Sequence, residues 1–173
     1  MHMKFSYYIE DLIYGANDGI ITTFAIVAGV IGAGLPPKTI LIIGLANVFA
    51  DGFSMATSDY LGRTSEQEVA VEDGAKKNSF FLKVNPKISA LLTFFSFVIL
   101  GFVPLVPYVL LGDSPLVFKY TIALTAIALF VVGALRSLVT KRSFFRQGIE
   151  VLFVGGIAAT IAYEVGLFVS RFV

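Results

Sequence analysis

The sequence predicts an all-α, polytopic membrane protein with five transmembrane helices. Hydrophobic residues make up 57% of the 173 residues and charged residues only 14%, and the mean hydropathy is +0.85. A soluble domain of this length needs far more polar surface than this composition supplies. The apolar residues form five runs, each close to the ~20 residues that an α-helix needs to cross a bilayer. Membrane β-strands are about half as long and alternate in polarity, so the runs favour helices.

The five predicted helices belong to a single transmembrane domain over residues 1–173. The first helix is expected to end at Gly34, which comes shortly before two prolines, and the fourth begins after Ser114 and Pro115. In chain order, the predicted helices cover residues 13–33, 39–61, 88–111, 117–139 and 149–169.

Two features modify this plan of helices and turns. The connection over residues 62–87 is longer than the others and polar, and its first part is predicted to extend helix two beyond the membrane surface until Gly74. Pro104 and Pro107 lie near the end of helix three, where each removes a backbone N–H. The prolines predict a break there, either as a simple kink or as part of a gate.

The charged residues predict an orientation and a membrane. Most of the 13 Lys and Arg residues fall on the side that holds the N-terminus, the 62–87 connection and the segment 136–146. The positive-inside rule therefore predicts a cytoplasmic N-terminus and an external C-terminus. Glu10 and Asp11, not a basic stretch, precede the first apolar run, so we expect a retained helix and not a signal peptide. The lack of targeting extensions favours a prokaryotic plasma membrane.

The composition also limits which binding partners and metal ligands the chain can have. The net charge of +1 gives no indication of a nucleic-acid partner, and the chain has no cysteine. Disulfides and thiolate metal ligands are therefore excluded. The single histidine, His2, lies at the N-terminus and is a poor ligand candidate.

Polar side chains form a stripe on the second predicted helix. Asn47, Asp51, Met55 and Asp59 are spaced four residues apart, and residues at this spacing share one helix face. Asp18 interrupts the first apolar run in the same way. Because the two helices are expected to be antiparallel, Asp18 can face the Asp51–Asp59 part of the stripe. The sequence therefore predicts one cation site between them.

The residue types indicate which cation. A carboxylate within a bilayer costs roughly 2.5–3.5 kcal/mol on insertion scales, which favours a functional role. Carboxylates alone suit Mg²⁺ and Ca²⁺, while the thioether of Met55 tilts the preference toward softer ions such as Fe²⁺ and Mn²⁺. Each residue also has an ordinary interpretation. Asp18 and Asp59 can be helix-end carboxylates, and Met55 can be packing.

Four further carboxylates are weaker candidates. Glu66, Glu68 and Glu72 in the 62–87 connection can collect cations, although a solvated acidic face is the commoner explanation. Glu164 on the fifth helix can serve a proton or exit path.

Two long motifs carry a family resemblance. Residues 18–29 read DGIITTFAIVAG, and residues 44–55 read GLANVFADGFSM, followed by Asp59-Tyr60-Leu61. With the five-helix plan, these motifs resemble the vacuolar iron transporter family. Gly155-Gly156, Tyr163 and Gly166 on the last helix also resemble it.

The resemblance implies a homodimer that moves Fe²⁺, and often Mn²⁺, out of the cytosol in exchange for protons. The ions are substrates, and no resident cofactor is implied. Asp18 and Met55 match residues that line the family's path at the dimer interface, and Asn47 and Asp51 match further polar positions. Asp59 departs from the glutamate common there. The 62–87 connection is too short for the long metal-collecting domain of some members.

Two other functions are compatible with the residues alone. Asp18 and Asp51 on separate helices can form the carboxylate pair of an intramembrane aspartyl protease, although residues 15–18 read Gly-Ala-Asn-Asp and lack the expected Gly-x-Gly-Asp arrangement. A membrane assembly protein without transport activity is the third possibility.

Overall fold

The computed structural model describes residues 7–74, 80–140 and 142–172. His2 lies outside the described residues, and so do three of the lysines on the side that holds the N-terminus, Lys4, Lys76 and Lys77.

The described residues form helices and turns, without strands. Five helical spans are long and apolar enough to cross a membrane, so the predicted fold class is confirmed and the chain is an integral membrane protein. The helices are α1 (Ile9–Gly32), α2 (Pro37–Glu72), α3 (Phe80–Lys83), α4 (Pro86–Gly101), α5 (Val106–Leu111), α6 (Val117–Leu135), α7 (Ser137–Thr140) and α8 (Phe144–Val169). The third span consists of α4, a short 3₁₀ turn and α5, while α3 and α7 are single turns outside the spans.

Some predicted helix ends are wrong. α1 begins at Ile9 and not at residue 13, and α8 begins at Phe144 and not at residue 149. α6 ends at Leu135, and the separate helix α7 follows it. The apolar pattern stops at charged and polar residues, but the helices continue through them. Asp11 and Gln147, which interrupt the pattern, are buried inside the protein.

The extension of helix two is confirmed. α2 continues beyond its apolar run to Glu72, and Gly74 follows with a positive φ of 71°. A glycine adopts this left-handed backbone without steric cost, which explains why the helix stops there. Glu66, Glu68 and Glu72 are exposed on this extension.

The break in the third span is also confirmed. α4 ends at Gly101, the 3₁₀ turn covers Val103–Leu105, and α5 resumes at Val106. Pro104 and Pro107 lie in these two elements, and neither supplies the N–H that a continuous α-helix needs.

α1 is the central helix of the bundle. It packs most extensively against α4 and α8, while α2 packs mainly on α4, and α6 packs on α8. α1 and α2 also touch each other, but each has its larger contact with α4. The first two spans are therefore joined largely through the third.

Small residues make these contacts close. A Cβ atom added to Gly19 of α1 would overlap the carbonyl oxygen of Phe97 in α4. A Cβ atom added to Gly166 of α8 would overlap the carbonyl oxygen of Gly29 in α1. These small residues thus serve close packing within one chain, where backbones approach because side chains are absent.

This packing predicts that Gly19→Ala destabilises the protein, whereas Gly156→Ala does not. The new methyl group at Gly19 meets backbone atoms of α4, which cannot move aside like a side chain, while a Cβ at Gly156 meets nothing within 4 Å. Overpacking of this kind costs about 1–3 kcal/mol. Thermal unfolding of the two variants in the same detergent measures the difference, and equal midpoints would contradict the close contact of α1 and α4.

Candidate functional site

The predicted polar stripe forms a continuous face of α2. Asn47, Asp51, Met55 and Asp59 are all half-buried, as expected of side chains that share one helix face. The neighbouring face is fully buried and is formed by Ile40, Gly44, Val48 and Gly52. A Cβ atom at Gly52 would contact Phe97 and Val98 of α4 at 3.2 Å. The buried face thus rests on α4 and leaves the polar stripe beside it.

Asp18 lies next to this stripe. Thr22 on the same helix and Asp51 on α2 are the side chains near enough to influence its carboxylate. Asp18 is about two and a half turns from the start of α1 at Ile9. The first-turn effect of a helix dipole does not reach that far, so the helix-end explanation of Asp18 is wrong. Asp18 of α1 and Asp51 of α2 therefore lie within electrostatic range of each other.

The stripe also contains a buried amide group with unmet hydrogen-bonding capacity. The Nδ2 atom of Asn47 is buried and has no hydrogen-bond partner among the atoms that the structure describes. Buried polar groups are usually paired. Asn47 therefore adds polarity to the same face of α2 as Asp51.

Asp59, at the far end of the stripe, has protein partners of its own. Its Oδ2 atom accepts a hydrogen bond of 3.1 Å from the hydroxyl of Thr93 in α4. Its Oδ1 atom lies 3.5 Å from Nε of Arg63. Asp59 is therefore part of a charged network at this end of the bundle. It lies about two helical turns along α2 from Asp51.

The centre of this network is a buried ion pair. Nη2 of Arg63 lies 2.6 Å from Oδ1 of Asp11, and the Ser89 hydroxyl donates to the other oxygen of Asp11. The side chain of Asp11 is only 3% exposed. The contacts tie α1, α2 and α4 together. Sequence reasoning missed this role of Asp11 because its partners lie far along the chain.

The weaker candidates do not join the pair. Glu66, Glu68, Glu72 and Glu164 are exposed, and of these Glu66 lines a surface pocket together with Asp59 and Arg63. The described part of the chain has no group of three or more His, Cys, Asp or Glu residues that could hold a metal ion. The possible ligands in one chain are the carboxylates of Asp18 and Asp51, the thioether of Met55 and the amide of Asn47.

The five spans define a polytopic membrane protein, and Asp18 and Asp51 lie on the first two of them. The sequence matches the model of the VIT family over residues 9–83 and 69–167. The chain belongs to this family.

Curated relatives match the chain to different extents. Vacuolar iron transporter 1 of Oryza sativa is 26% identical over 90% of this chain and 82% of its own length. Vacuolar iron transporter 1 of Arabidopsis thaliana is 24% identical over 90% of this chain and 83% of its own length. The vacuolar iron transporter of Plasmodium falciparum is 43% identical, but over 35% of this chain and 22% of its own length.

The ion pair predicts that Arg63→Met destabilises the protein by about 3–5 kcal/mol, because it leaves the buried Asp11 charge without its partner. Adding Asp11→Asn should recover most of the loss, since the charge is then removed. Thermal or denaturant unfolding in detergent measures both effects. Arg146→Met, which changes an exposed arginine of α8, is the matched control. An Arg63→Met variant as stable as this control would show that the pair contributes nothing.

Proposed function

We propose that this protein transports divalent transition-metal ions, Fe²⁺ and also Mn²⁺, and exports them from the cytosol in exchange for protons. The observation that carries the proposal is the Asp18–Asp51 pair beside Met55. Family membership supports it, as do the relatives named vacuolar iron transporters.

The carboxylate pair suits a cation because two neighbouring negative charges repel each other. A divalent ion between them removes this repulsion and offsets part of the cost of placing charge in a membrane. Met55 is one helical turn from Asp51 on the same face of α2. Its thioether adds a soft ligand to hard oxygens, which favours Fe²⁺ over Mg²⁺ or Ca²⁺.

A second copy of the chain would complete the coordination. One chain supplies fewer ligands than the six or so that Fe²⁺ and Mn²⁺ commonly take in oxygen-rich sites. α2 and α8 are the least buried of the five spans, and the stripe on α2 is only half-buried. A homodimer with Asp18 and Met55 of both copies around one path would supply the missing ligands.

Protons would drive release because a carboxylate binds a metal ion only when ionised. Entry of the ion from the cytoplasmic end, where Arg63 and Asp59 lie, would lead it along α2 to the Asp18–Asp51 pair. Protonation from an acidic external side would then weaken binding and release the ion. In this scheme the N-terminus is cytoplasmic, the C-terminus is external and the membrane is a prokaryotic plasma membrane.

The transport proposal predicts that Asp18→Asn reduces Fe²⁺ and Mn²⁺ flux to the background level. The substitution keeps the size of the side chain but removes the negative charge. Flux into proteoliposomes, with and without an acidic lumen, measures the effect. Asp113→Asn, at an exposed carboxylate in the turn between α5 and α6, should transport normally.

Each outcome of that assay decides one point. Normal flux in Asp18→Asn would reject this carboxylate as part of the path. Flux in the unmodified protein that ignores the pH gradient would reject proton exchange but keep metal transport. A lack of flux for both metals would reject transport itself.

The role of Met55 predicts a change in ion preference. Met55→Leu keeps nearly the same volume but removes the sulfur atom. We expect Fe²⁺ flux to fall several-fold and Mn²⁺ flux to fall less, because Mn²⁺ depends less on soft ligands. Competition between the two ions in the same vesicles measures the ratio. An unchanged ratio would mean that the thioether does not contact the ion.

A further inference from the structure

Four buried hydroxyl groups are left unused by the proposed metal path. They belong to Thr23 of α1, Tyr108 of α5, and Thr121 and Thr125 of α6. The three threonines are 0% exposed and Tyr108 is 2% exposed. Within the part of the chain that the structure describes, none of the four oxygen atoms has a hydrogen-bond partner at normal distance and angle. Such a concentration is unusual, because buried polar groups are normally paired.

Threonines in other helices of the bundle satisfy their hydroxyl groups locally. Thr57, Thr64, Thr140 and Thr160 each donate to the carbonyl oxygen four residues earlier, a common solution within helices. Their oxygen–oxygen distances are 2.9, 2.8, 3.1 and 2.8 Å. The buried threonines do not adopt this solution, so their hydroxyl groups are available to another partner.

The threonines lie between two apolar clusters of the bundle. Phe24 of α1 and Val117 of α6 belong to one cluster, and Ile20 of α1 and Leu129 of α6 belong to the other. Thr23 falls between Ile20 and Phe24, while Thr121 and Thr125 fall between Val117 and Leu129. The hydroxyl groups thus form a polar layer between apolar layers.

This polar layer borders the break in the third span. An added Cβ at Gly101, the last residue of α4, would lie 3.3 Å from the hydroxyl oxygen of Thr23. Tyr108 follows the break, and its hydroxyl group lies close to that of Thr121. Thr125 is one turn from Thr121 on the same face of α6. Hydroxyl groups from three spans therefore lie around the interruption of the third helix.

We propose that Thr23, Tyr108, Thr121 and Thr125 bind water molecules inside each copy of the chain, at the break in the third span. Water fits because it both donates and accepts, as these hydroxyl groups do, and buried waters typically make two to four such hydrogen bonds. A metal ion does not fit, because the four groups are neutral and supply no charge. The water site is distinct from the half-buried stripe on α2, to which none of the four hydroxyl groups belongs.

The absence of cysteine from the chain makes the proposal directly testable. Thr121→Cys and Thr125→Cys each introduce a single thiol into the polar layer. Val117→Cys and Leu129→Cys are matched controls, since these residues are 5% and 1% exposed and lie one turn to either side on α6. Ag⁺, which reacts with thiols through hydrated paths, is added to each variant in lipid nanodiscs. Thiols left unreacted are then counted after denaturation with a maleimide.

The proposal expects Thr121→Cys and Thr125→Cys to react at least about tenfold faster than both controls, because hydration favours the reactive thiolate. Reaction as slow as in Val117→Cys and Leu129→Cys would overturn it.

A measurement on the unmodified protein covers variants that fail to fold. Hydroxyl radicals formed from bound water by X-ray radiolysis oxidise the nearest side chains. Tyr108 should be oxidised well above Phe97, which is 0% exposed, when each rate is divided by the rate in the unfolded chain. Equal normalised rates for the two residues would overturn the water site.

Discussion

The buried pair between Asp11 and Arg63 fixes how the first two spans lie along each other. α1 and α2 run antiparallel, and Arg63 contacts both Asp11 and Asp59 at one end. Asp18 follows Asp11 by two turns, and Asp51 precedes Asp59 by about two turns, so both are displaced by roughly 10–12 Å in the same direction. The ion pair therefore sets the register that brings Asp18 beside Asp51. Ser89 and Thr93 extend the same network to α4.

The carboxylates lie at two levels along the helices, Asp11 with Asp59 and Asp18 with Asp51. The two levels differ in the groups that neutralise their charge. At the first level, the guanidinium of Arg63 lies between Asp11 and Asp59, and hydroxyl groups complete their hydrogen bonds. At the second level, Asp18 and Asp51 have Thr22 nearby, but no basic side chain is among the groups that influence Asp18. Charges in a membrane are stable only when they are paired. In the proposed transport, a cation from outside the chain would supply the partner of the second level, and this difference links the structural network to that proposal.

Much of this arrangement could be predicted from the sequence, because it depends on local patterns. Continuous apolar runs gave the spans, Gly74 gave the end of the α2 extension, and the four-residue spacing gave the stripe with Asp51 and Met55. The remainder depends on contacts between distant residues. From the sequence alone, Asp11 is predicted to be a surface residue that precedes an apolar run. Its burial depends on Arg63 and Ser89, which lie 52 and 78 residues away in the sequence. The start of α1 was misplaced for the same reason.

In the proposed transport cycle, Asp18 and Asp51 together bind a divalent transition-metal ion. Electron paramagnetic resonance of Mn²⁺ added to the purified protein tests it most directly, because the signal of hydrated Mn²⁺ decreases when the ion is bound. The unmodified protein should bind Mn²⁺ near neutral pH and release it on acidification, and Asp51→Asn should bind far less. Equal binding by the unmodified protein and Asp51→Asn would contradict the account.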